Sequence, residues 1–188
     1  MSLARSRTIV RRRLAARRTD RATLAATSNL TGIDLRMMRR ALRLAAGAAA
    51  AGEVPIAAVV WRETGDGIEI VAEAANDREA TGDPTGHAEI VALRRAGERL
   101  GSWRLTGCSM AVTLEPCPMC AGALVNARLA RCVFGASDPK AGACGTLYRI
   151  AEDIRLNHRV EVVGGVLAEE SVALLQRFFR GRRGGRRG

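Results

Sequence analysis

The sequence is poor in aromatic residues, which make up 3% of its 188 residues. Proteins that bind single-stranded nucleic acid on open platforms stack successive bases on aromatic rings, so a broad base-stacking surface is excluded. Long apolar runs are also missing, since the alanine-rich stretch 44–51 is too short to cross a bilayer. We therefore expect no membrane association, and an apolar content of 47% indicates a globular chain.

Lysine and histidine are scarce as well, with one lysine, Lys140, and two histidines, His87 and His158. Arginine therefore carries the formal net charge of +11, and it is concentrated at the ends of the chain. Eight arginines lie in residues 1–21 and six in residues 177–188. Arginine binds phosphate through two parallel hydrogen bonds, so these tails predict contact with nucleic acid. The alternative is a pair of solvated, disordered tails in a chain that prefers arginine throughout.

A chain of this length fits a single domain with a sizeable core. We expect that domain over residues 34–180, between a disordered arginine-rich extension over 1–33 and an Arg/Gly-rich tail over 181–188. Two other interpretations of the extension stay open, because residues 1–18 are rich in arginine and free of acid. They are a start codon assigned too early and an organellar transit peptide. A secretory signal peptide is not expected, since no apolar block follows the arginines.

Two short motifs combine metal-ligating side chains with a carboxylate. His87-Ala88-Glu89 is followed, after 26 intervening residues, by Pro116-Cys117-Pro118-Met119-Cys120. Imidazole and thiolate suit zinc, and a structural zinc site is normally closed by four such ligands. Three ligands leave a fourth position for water, which indicates catalysis. The remaining cysteines are expected to be small apolar residues in a reducing compartment: Cys108, Cys132 and Cys144.

The spacing of these residues constrains their geometry. Prolines 116 and 118 suit the start of a helix, where one turn puts the sulfurs of Cys117 and Cys120 on one side. The positive end of the helix dipole favours thiolates there. His87 and Glu89 are two residues apart, about 200° around a helix. Both can face one metal only if His87 stands at the irregular start of a helix, with Glu89 then free to transfer protons.

On these residues the chain resembles the zinc-dependent nucleobase deaminases, and most closely the bacterial tRNA-specific adenosine deaminases. The resemblance runs from about residue 38 to about residue 183. Further matching segments are Glu53-Val54-Pro55, Asn76, 83–89, 113–123, Phe134-Gly135-Ala136, Asn157-His158-Arg159-Val160 and Phe178-Phe179-Arg180. The departures from the family pattern are Ala57 in place of glycine, Gly86 in place of alanine, and Asp77-Arg78 in place of Arg-Pro.

Apolar periodicity and turn residues predict alternating strands and helices, hence an α/β chain. Together with the resemblance they imply a three-layer α-β-α sandwich with a five-stranded mixed central sheet, as in cytidine deaminase-like proteins. Helices are predicted over 35–51, 87–99, 117–127 and 169–182, and strands over 54–61, 68–75, 108–114, 131–136 and 159–164. Asp34 is expected to cap the first helix. Core or loop-anchoring positions are expected for Trp61 and Trp103, and a buried face on the last helix for Val172, Leu175, Phe178 and Phe179.

The resemblance implies one Zn²⁺ per subunit on His87, Cys117 and Cys120, with Glu89 as the proton shuttle. Asn76 and the backbone near Ala88 would hold the base and its ribose, although Asn76 could also simply cap a turn. The nucleotides flanking the base would meet the loop that contains Asp138 and Lys140, which could instead be a solvated turn. Further RNA contacts are implied for Asn157, His158, Arg159, Phe179 and Arg180. His158 could also be a hydrogen-bonded loop residue.

Three functions compete. The first, implied by the resemblance, is hydrolytic deamination of adenosine to inosine at wobble position 34 of a tRNA anticodon, by a cytoplasmic homodimer acting on an arginine tRNA. A base in a single-stranded anticodon loop can be turned out at low cost. The second is a small-molecule deaminase for guanine or cytosine, which needs no basic tails. The third is a zinc scaffold without activity, which has no use for Glu89. Cytidine deaminases proper usually have cysteine at the position of His87 and rank lower.

Overall fold

The computed structural model of the chain describes the backbone of residues 29–184 and the side chains of residues 29–182. Most of the predicted N-terminal extension and the last four residues of the predicted tail lie outside this range. The described helices are α1 Gly32–Ala50, α2 Arg78–Thr81, α3 Ala88–Leu100, α4 Pro118–Asn126 and α5 Ala168–Gly184, with a short 3-10 turn at Ile150–Glu152. The strands are β1 Ala57–Thr64, β2 Gly67–Ala75, β3 Cys108–Leu114, β4 Arg131–Ala136 and β5 Glu161–Val163.

The five strands form one sheet in the order β2-β1-β3-β4-β5. β1 pairs antiparallel with both β2 and β3, whereas β3, β4 and β5 run parallel. Helices α1 and α5 cover one face, and α3 and α4 cover the other. Successive side chains of a strand point to opposite faces, so Ala58 and Val60 join the cluster of Ala92 and Leu124. The predicted three-layer sandwich with a five-stranded mixed sheet is confirmed.

The prediction that Asp34 caps the first helix is wrong. α1 begins at Gly32, and Asp34 lies within its first turn with 1% of its surface exposed. Its carboxylate pairs with the guanidinium of Arg131 on β4, with Nη2 2.9 Å from Oδ2. A buried carboxylate is stable when it is paired, and Arg131 supplies that pairing from a distant strand.

Two predicted strands are shorter than expected at their starts. β1 begins at Ala57 rather than at residue 54, because Pro55 has no amide to donate and Ile56 N bonds back to Val54 O at 2.7 Å. β5 covers only Glu161–Val163. β3 and β4 have the predicted bounds.

Helix α5 packs through a narrower face than predicted. Val172 and Phe179 are exposed, Phe179 to 44%, so the expected apolar face is wrong at these positions. The buried contact is Ser171, which lies so close to Gly135 that a Cβ there would be 2.2 Å from its Oγ. No described helix is long and apolar enough to cross a membrane.

The two tryptophans differ. Trp61 is a core residue of β1, as predicted, with 2% of its surface exposed. Trp103 is 58% exposed, and the guanidinium of Arg104 lies 4.1 Å from its ring centroid. The prediction of a core or loop anchor is therefore confirmed for Trp61 alone.

Candidate active site

Two helices begin at the site, and each has a predicted ligand just before its first residue. His87 precedes α3 with extended backbone angles (φ −78°, ψ 143°), and its amide donates to Thr85 O at 2.7 Å. Because His87 is outside the helical repeat, its side chain and that of Glu89 are not held on opposite sides of a helix. Cys117 precedes α4 in the same way (φ −72°, ψ 173°), and Cys120 follows in the first turn.

These positions bring His87, Cys117 and Cys120 together. Their ligand atoms all lie within 4.8 Å of one another. Nδ1 of His87 is 3.7 Å from Sγ of Cys117 and 3.5 Å from Sγ of Cys120. One imidazole nitrogen and two sulfurs are a donor set that suits zinc and leaves room for a further ligand.

The pKa values of the two thiols shift in opposite directions. A hydrogen bond from the Cys120 thiol, followed by the neighbouring His87, lowers the pKa of Cys117 to about 4 against the opposing effect of burial. The same bond and burial raise the pKa of Cys120. The pKa of His87 is raised, chiefly by its hydrogen bond to Cys117. The pocket therefore stabilises negative charge on the sulfur of Cys117, and a bound divalent cation would displace the thiol proton of Cys120.

Glu89 lies in the first turn of α3 with 3% of its surface exposed. Burial raises the pKa of its carboxyl group. In the part of the chain that the structure describes, its Oε2 is the buried side-chain oxygen that has no hydrogen-bond partner. An unpartnered buried oxygen is costly, so it indicates a group that is reserved for a ligand or a reaction. A zinc ion with its water, or a substrate, would fit this orphaned oxygen.

Asn76 supports the start of α3. It is buried, its Oδ1 accepts the backbone amide of Ala88 at 2.9 Å, and its own backbone N–H donates to Ile56 O at 2.9 Å. The structure therefore brings Asn76 and Ala88 to the same corner as His87 and Glu89. The oxygen of Asn76 holds the helix that presents Glu89.

Two of the departures from the family pattern are in contact. A Cβ at Gly86 would lie 2.3 Å from Oδ1 of Asp77 and 3.1 Å from the carbonyl oxygen of Asp83. The amide of Asp77 also donates to Gly86 O at 3.0 Å. Glycine at position 86 and aspartate at position 77 therefore fit each other beside His87.

The loop with Asp138 and Lys140 adjoins the site. Oδ1 of Asp138 accepts the amide of Lys140 at 2.8 Å, and Ala143 N donates to Pro116 O at 2.8 Å, next to Cys117. Glu115 also binds this loop, through the amide of Asp138 at 3.0 Å. Sequence reasoning assigned Glu115 no role, although a polar residue directly after a buried strand was the available signal.

Three predicted RNA contacts lie away from this cluster. Oδ1 of Asn157 accepts from Nη1 of Arg128 at 2.7 Å, and Nε2–H of His158 donates to Leu129 O at 2.6 Å. Arg128 and Leu129 follow the end of α4, whereas Cys117 and Cys120 are at its start, about 13 Å away along the helix. Arg159 is exposed beside them. The structure does not bring these three residues to the metal-ligand group.

The two residues of α5 that are predicted to contact RNA, Phe179 and Arg180, are both exposed. Phe179 packs edge-to-face on Phe178 with ring centroids 5.4 Å apart, and Arg180 points to solvent. Further along, Nη2 of Arg182 donates to Gly52 O at 3.3 Å, and its Nη1 lies 3.8 Å from Glu79 on α2. The end of α5 therefore approaches the segment that follows Asn76.

Comparison with known proteins adds independent findings. A family model described as MafB19-like deaminase matches residues 33–183. The tRNA-specific adenosine deaminase of Haemophilus influenzae is 47% identical over 150 residues, which are 80% of this chain and 85% of that protein. A solved structure from a study of A-to-I editing by tRNA:A34 deaminases is 40% identical, covers 74% of this chain and 99% of its own, and has a TM-score of 0.69. A guanine deaminase from Nitrosomonas europaea, 24% identical over 77% of this chain and 83% of its own with a TM-score of 0.67, shares the fold.

Proposed function

Since the chain belongs to the family of MafB19-like deaminases and is similar over most of its length to tRNA-specific adenosine deaminases, we propose that it deaminates adenosine to inosine at wobble position 34 of a tRNA anticodon. The enzyme is a hydrolase. One observation carries the chemistry: the unpartnered Oε2 of Glu89 is buried beside an imidazole nitrogen and two sulfurs.

The residues present fit zinc. His87, Cys117 and Cys120 would hold the ion, and the lowered pKa of Cys117 supports a thiolate ligand. When bound, zinc supplies the Lewis acidity that makes water a nucleophile near neutral pH. We propose one zinc ion per subunit.

Glu89 then moves the protons. Its carboxylate takes one proton from the attacking water and delivers it to N1 of the adenine ring. It then takes the remaining proton from the new hydroxyl on C6, which becomes the carbonyl, and delivers it to the departing amino group. The raised pKa of its carboxyl group helps it to hold the proton between these transfers. Overall, water adds at C6, the bond from C6 to the exocyclic nitrogen breaks, and ammonia leaves.

Two groups of residues would position the substrate, one beside the metal-ligand group and one remote from it. We propose that Asn76 and the backbone of Ala88 hold the base, and that the loop with Asp138 and Lys140 meets the flanking nucleotides. We propose that five residues outside the pocket, four of them exposed and His158 half-buried, contact the RNA. These are Asn157, His158, Arg159, Phe179 and Arg180. If so, Arg159→Ala should weaken stem-loop binding and leave kcat unchanged; an unchanged Kd would remove that contact.

We further propose a homodimer that acts on an arginine tRNA in the cytoplasm. The five described cysteines are all free thiols, which supports a reducing compartment. Native mass spectrometry of the purified protein tests the assembly directly. Two chains and two zinc ions per particle are expected, and a monomer at micromolar concentration would contradict the proposal.

The function is tested by a paired assay on purified, zinc-loaded protein. One reaction contains an arginine-tRNA anticodon stem-loop with adenosine at position 34, and the other contains free guanine and cytosine. Inosine in the stem-loop, absent with Glu89→Ala, is the expected result. Ammonia from a free base without inosine in the stem-loop would assign the chain to small-molecule deamination instead.

A further inference from the structure

We infer that Glu115 is a positioning residue, which holds the loop over residues 137–146 in the conformation that receives the nucleotide next to the reacting base. This inference rests on the proposed function, because the loop contains Asp138 and Lys140. Glu115 itself neither contacts the base nor transfers a proton. It acts through the loop, which we name the flanking loop.

Both carboxylate oxygens of Glu115 are committed to the flanking loop. The residue follows β3 and has 2% of its surface exposed. Oε2 accepts the amide of Asp138 at 3.0 Å and the hydroxyl of Thr146. Oε1 accepts the amides of Thr146 at 2.9 Å and Cys144 at 3.1 Å. Four donors from both ends of the loop therefore converge on one side chain.

A carboxylate suits this arrangement better than other side chains. All four partners are donors, and an ionised carboxylate accepts at both oxygens without offering a hydrogen of its own. Glutamine at this position would turn an amide NH₂ towards at least one backbone N–H of the loop. At Oε2 the NH₂ would face the amide of Asp138, and at Oε1 it would face the amides of Cys144 and Thr146. In either orientation at least one backbone amide of the loop loses its acceptor.

Packing confirms how closely the loop is held. A Cβ at Gly142 would lie 2.3 Å from Oε2 of Glu115 and 2.6 Å from the carbonyl oxygen of Asp138. Gly142 N donates to Asp138 O at 2.9 Å, so the glycine belongs to the same turn as Asp138. The loop can approach the carboxylate only because position 142 has no side chain.

The same short stretch of chain anchors the loop and presents a ligand. Glu115 N donates to Ala136 O at 2.8 Å, Pro116 O accepts from Ala143 N at 2.8 Å, and Cys117 comes next. The flanking loop is thus fixed relative to Cys117 by the two residues that directly precede Cys117. Its distance from the reacting base would otherwise depend on ten residues of irregular backbone.

The test compares wild-type protein with Glu115→Gln on the anticodon stem-loop. KM should rise about tenfold, the effect of losing roughly one charge-assisted hydrogen bond, with kcat within about threefold and zinc content unchanged. Amide hydrogen exchange of Asp138, Cys144 and Thr146 should accelerate at least tenfold, with or without metal. Loss of zinc together with kcat, at unchanged KM, would indicate a purely structural role and overturn the inference.

Matched variants keep the test decisive. Thr146→Val removes one donor alone and should raise KM by a smaller factor, so it carries the test if Glu115→Gln does not fold. Glu53→Gln changes another buried glutamate, which accepts the amide of Glu79 at 2.8 Å, and should leave exchange in the flanking loop unchanged. Failure of wild-type protein to edit the stem-loop would reject the proposed function. Normal editing with unchanged KM and exchange in Glu115→Gln would reject the positioning role alone.

Discussion

Three glutamates are buried in the described part of the chain, and their hydrogen bonds differ. Glu53 accepts the amides of Val54 and Glu79, and Glu115 accepts four donors of the flanking loop. Glu89 keeps Oε2 without a partner. Leaving a buried oxygen unpaired is unfavourable for folding, and such violations concentrate where a site needs a free group. The hydrogen bonds thus distinguish Glu89, which we propose as the proton carrier, from two glutamates whose oxygens accept backbone amides.

Glu89→Gln should keep its zinc and lose its turnover. The amide cannot carry the proton, so single-turnover deamination of the stem-loop should fall by about 10² to 10⁴. Because burial raises the pKa of the native carboxyl, a neutral amide should not reduce the melting temperature. Zinc content by elemental analysis and the deamination rate check this, with the exposed turn residue Asp66→Asn as control. A near-normal rate would remove Glu89 from the mechanism.

Removal of metal should make Cys117 the reactive thiol. Its pKa of about 4 makes it a thiolate at neutral pH, whereas burial raises the pKa of Cys108, Cys132 and Cys144. In chelator-treated protein at pH 7, iodoacetamide should therefore modify Cys117 ahead of those three, as followed by peptide mass spectrometry. Added zinc should block the reaction. Equal modification with and without zinc would mean that Cys117 is not a ligand.

Gly86 and Asp77 should behave as a coupled pair. Gly86→Ala places a Cβ 2.3 Å from Oδ1 of Asp77 and should cost about 1–3 kcal/mol of unfolding free energy. Asp77→Ala in the same chain should restore part of that loss, because the Asp83 carbonyl at 3.1 Å remains. Urea denaturation of the four proteins in a double-mutant cycle gives the coupling. Strictly additive effects would show that the two departures are independent.

At the scale of elements, the site depends on how two helices begin. His87 and Cys117 both occupy extended backbone directly before α3 and α4. The positive ends of two helix dipoles therefore meet at the ligand group and favour thiolate there. Because one ligand precedes each helix, their positions depend on how α3 and α4 pack on the sheet as much as on local spacing.

An ion-pair cluster holds Asp34 in the first turn of α1. Arg131 of β4 bonds Asp34 at 2.9 Å and also pairs with Glu161 of β5. Asp34→Ala should therefore lower the unfolding free energy by about 2–4 kcal/mol, since a nearly buried guanidinium loses one of its two carboxylates. Thermal denaturation checks this. Glu152→Ala, which breaks an exposed pair with Arg149, should change stability by less than about 1 kcal/mol; equal losses would contradict this account.

At the scale of the whole molecule, charge and chemistry occupy different parts of the chain. The net charge of +11 resides mainly in the two arginine-rich ends, whereas the ligand group and Glu89 lie in the folded domain. Electrostatic attraction to RNA and the reaction itself should therefore be separable. Such attraction falls steeply with salt because each neutralised phosphate releases a counterion.

Replacing the last four arginines with glutamine should weaken stem-loop binding more at low salt than at high salt. Each lost phosphate contact should make the slope of log K against log salt shallower by about 0.7, with kcat at saturating RNA unchanged. The residues concerned are Arg182, Arg183, Arg186 and Arg187. Fluorescence anisotropy gives the slope. The control replaces Arg62 and Arg99, which are both already paired with Glu69, with glutamine. An equal slope for the wild type, the tail variant and the control would exclude phosphate binding by the tail.

The sequence by itself determined the sheet, the layers and the residues of the ligand group. Short, nearly continuous apolar runs located β3 and β4 with their observed bounds, because such runs are a local signal of a strand that is buried on both faces. The H-x-E and P-C-x-x-C motifs named His87, Cys117 and Cys120, since metal chemistry restricts which side chains can serve. The requirement that His87 stand at the irregular start of a helix also followed from its spacing to Glu89, although the helix begins one residue later than predicted, at Ala88.

Only the tertiary structure decided which distant groups meet. Asp34 pairs with a residue 97 positions away, and Glu115 holds a loop up to 31 positions further on. His158 donates a hydrogen bond to Leu129 O beyond the end of α4, remote from the metal-ligand group, and Phe179 of α5 is exposed. Periodicity tells which face of an element is apolar, but not which neighbour covers it or which donors reach a buried carboxylate. Which neighbours and donors meet depends on how the layers pack. The same packing decides which buried glutamates are hydrogen-bonded and which one keeps an unpartnered oxygen.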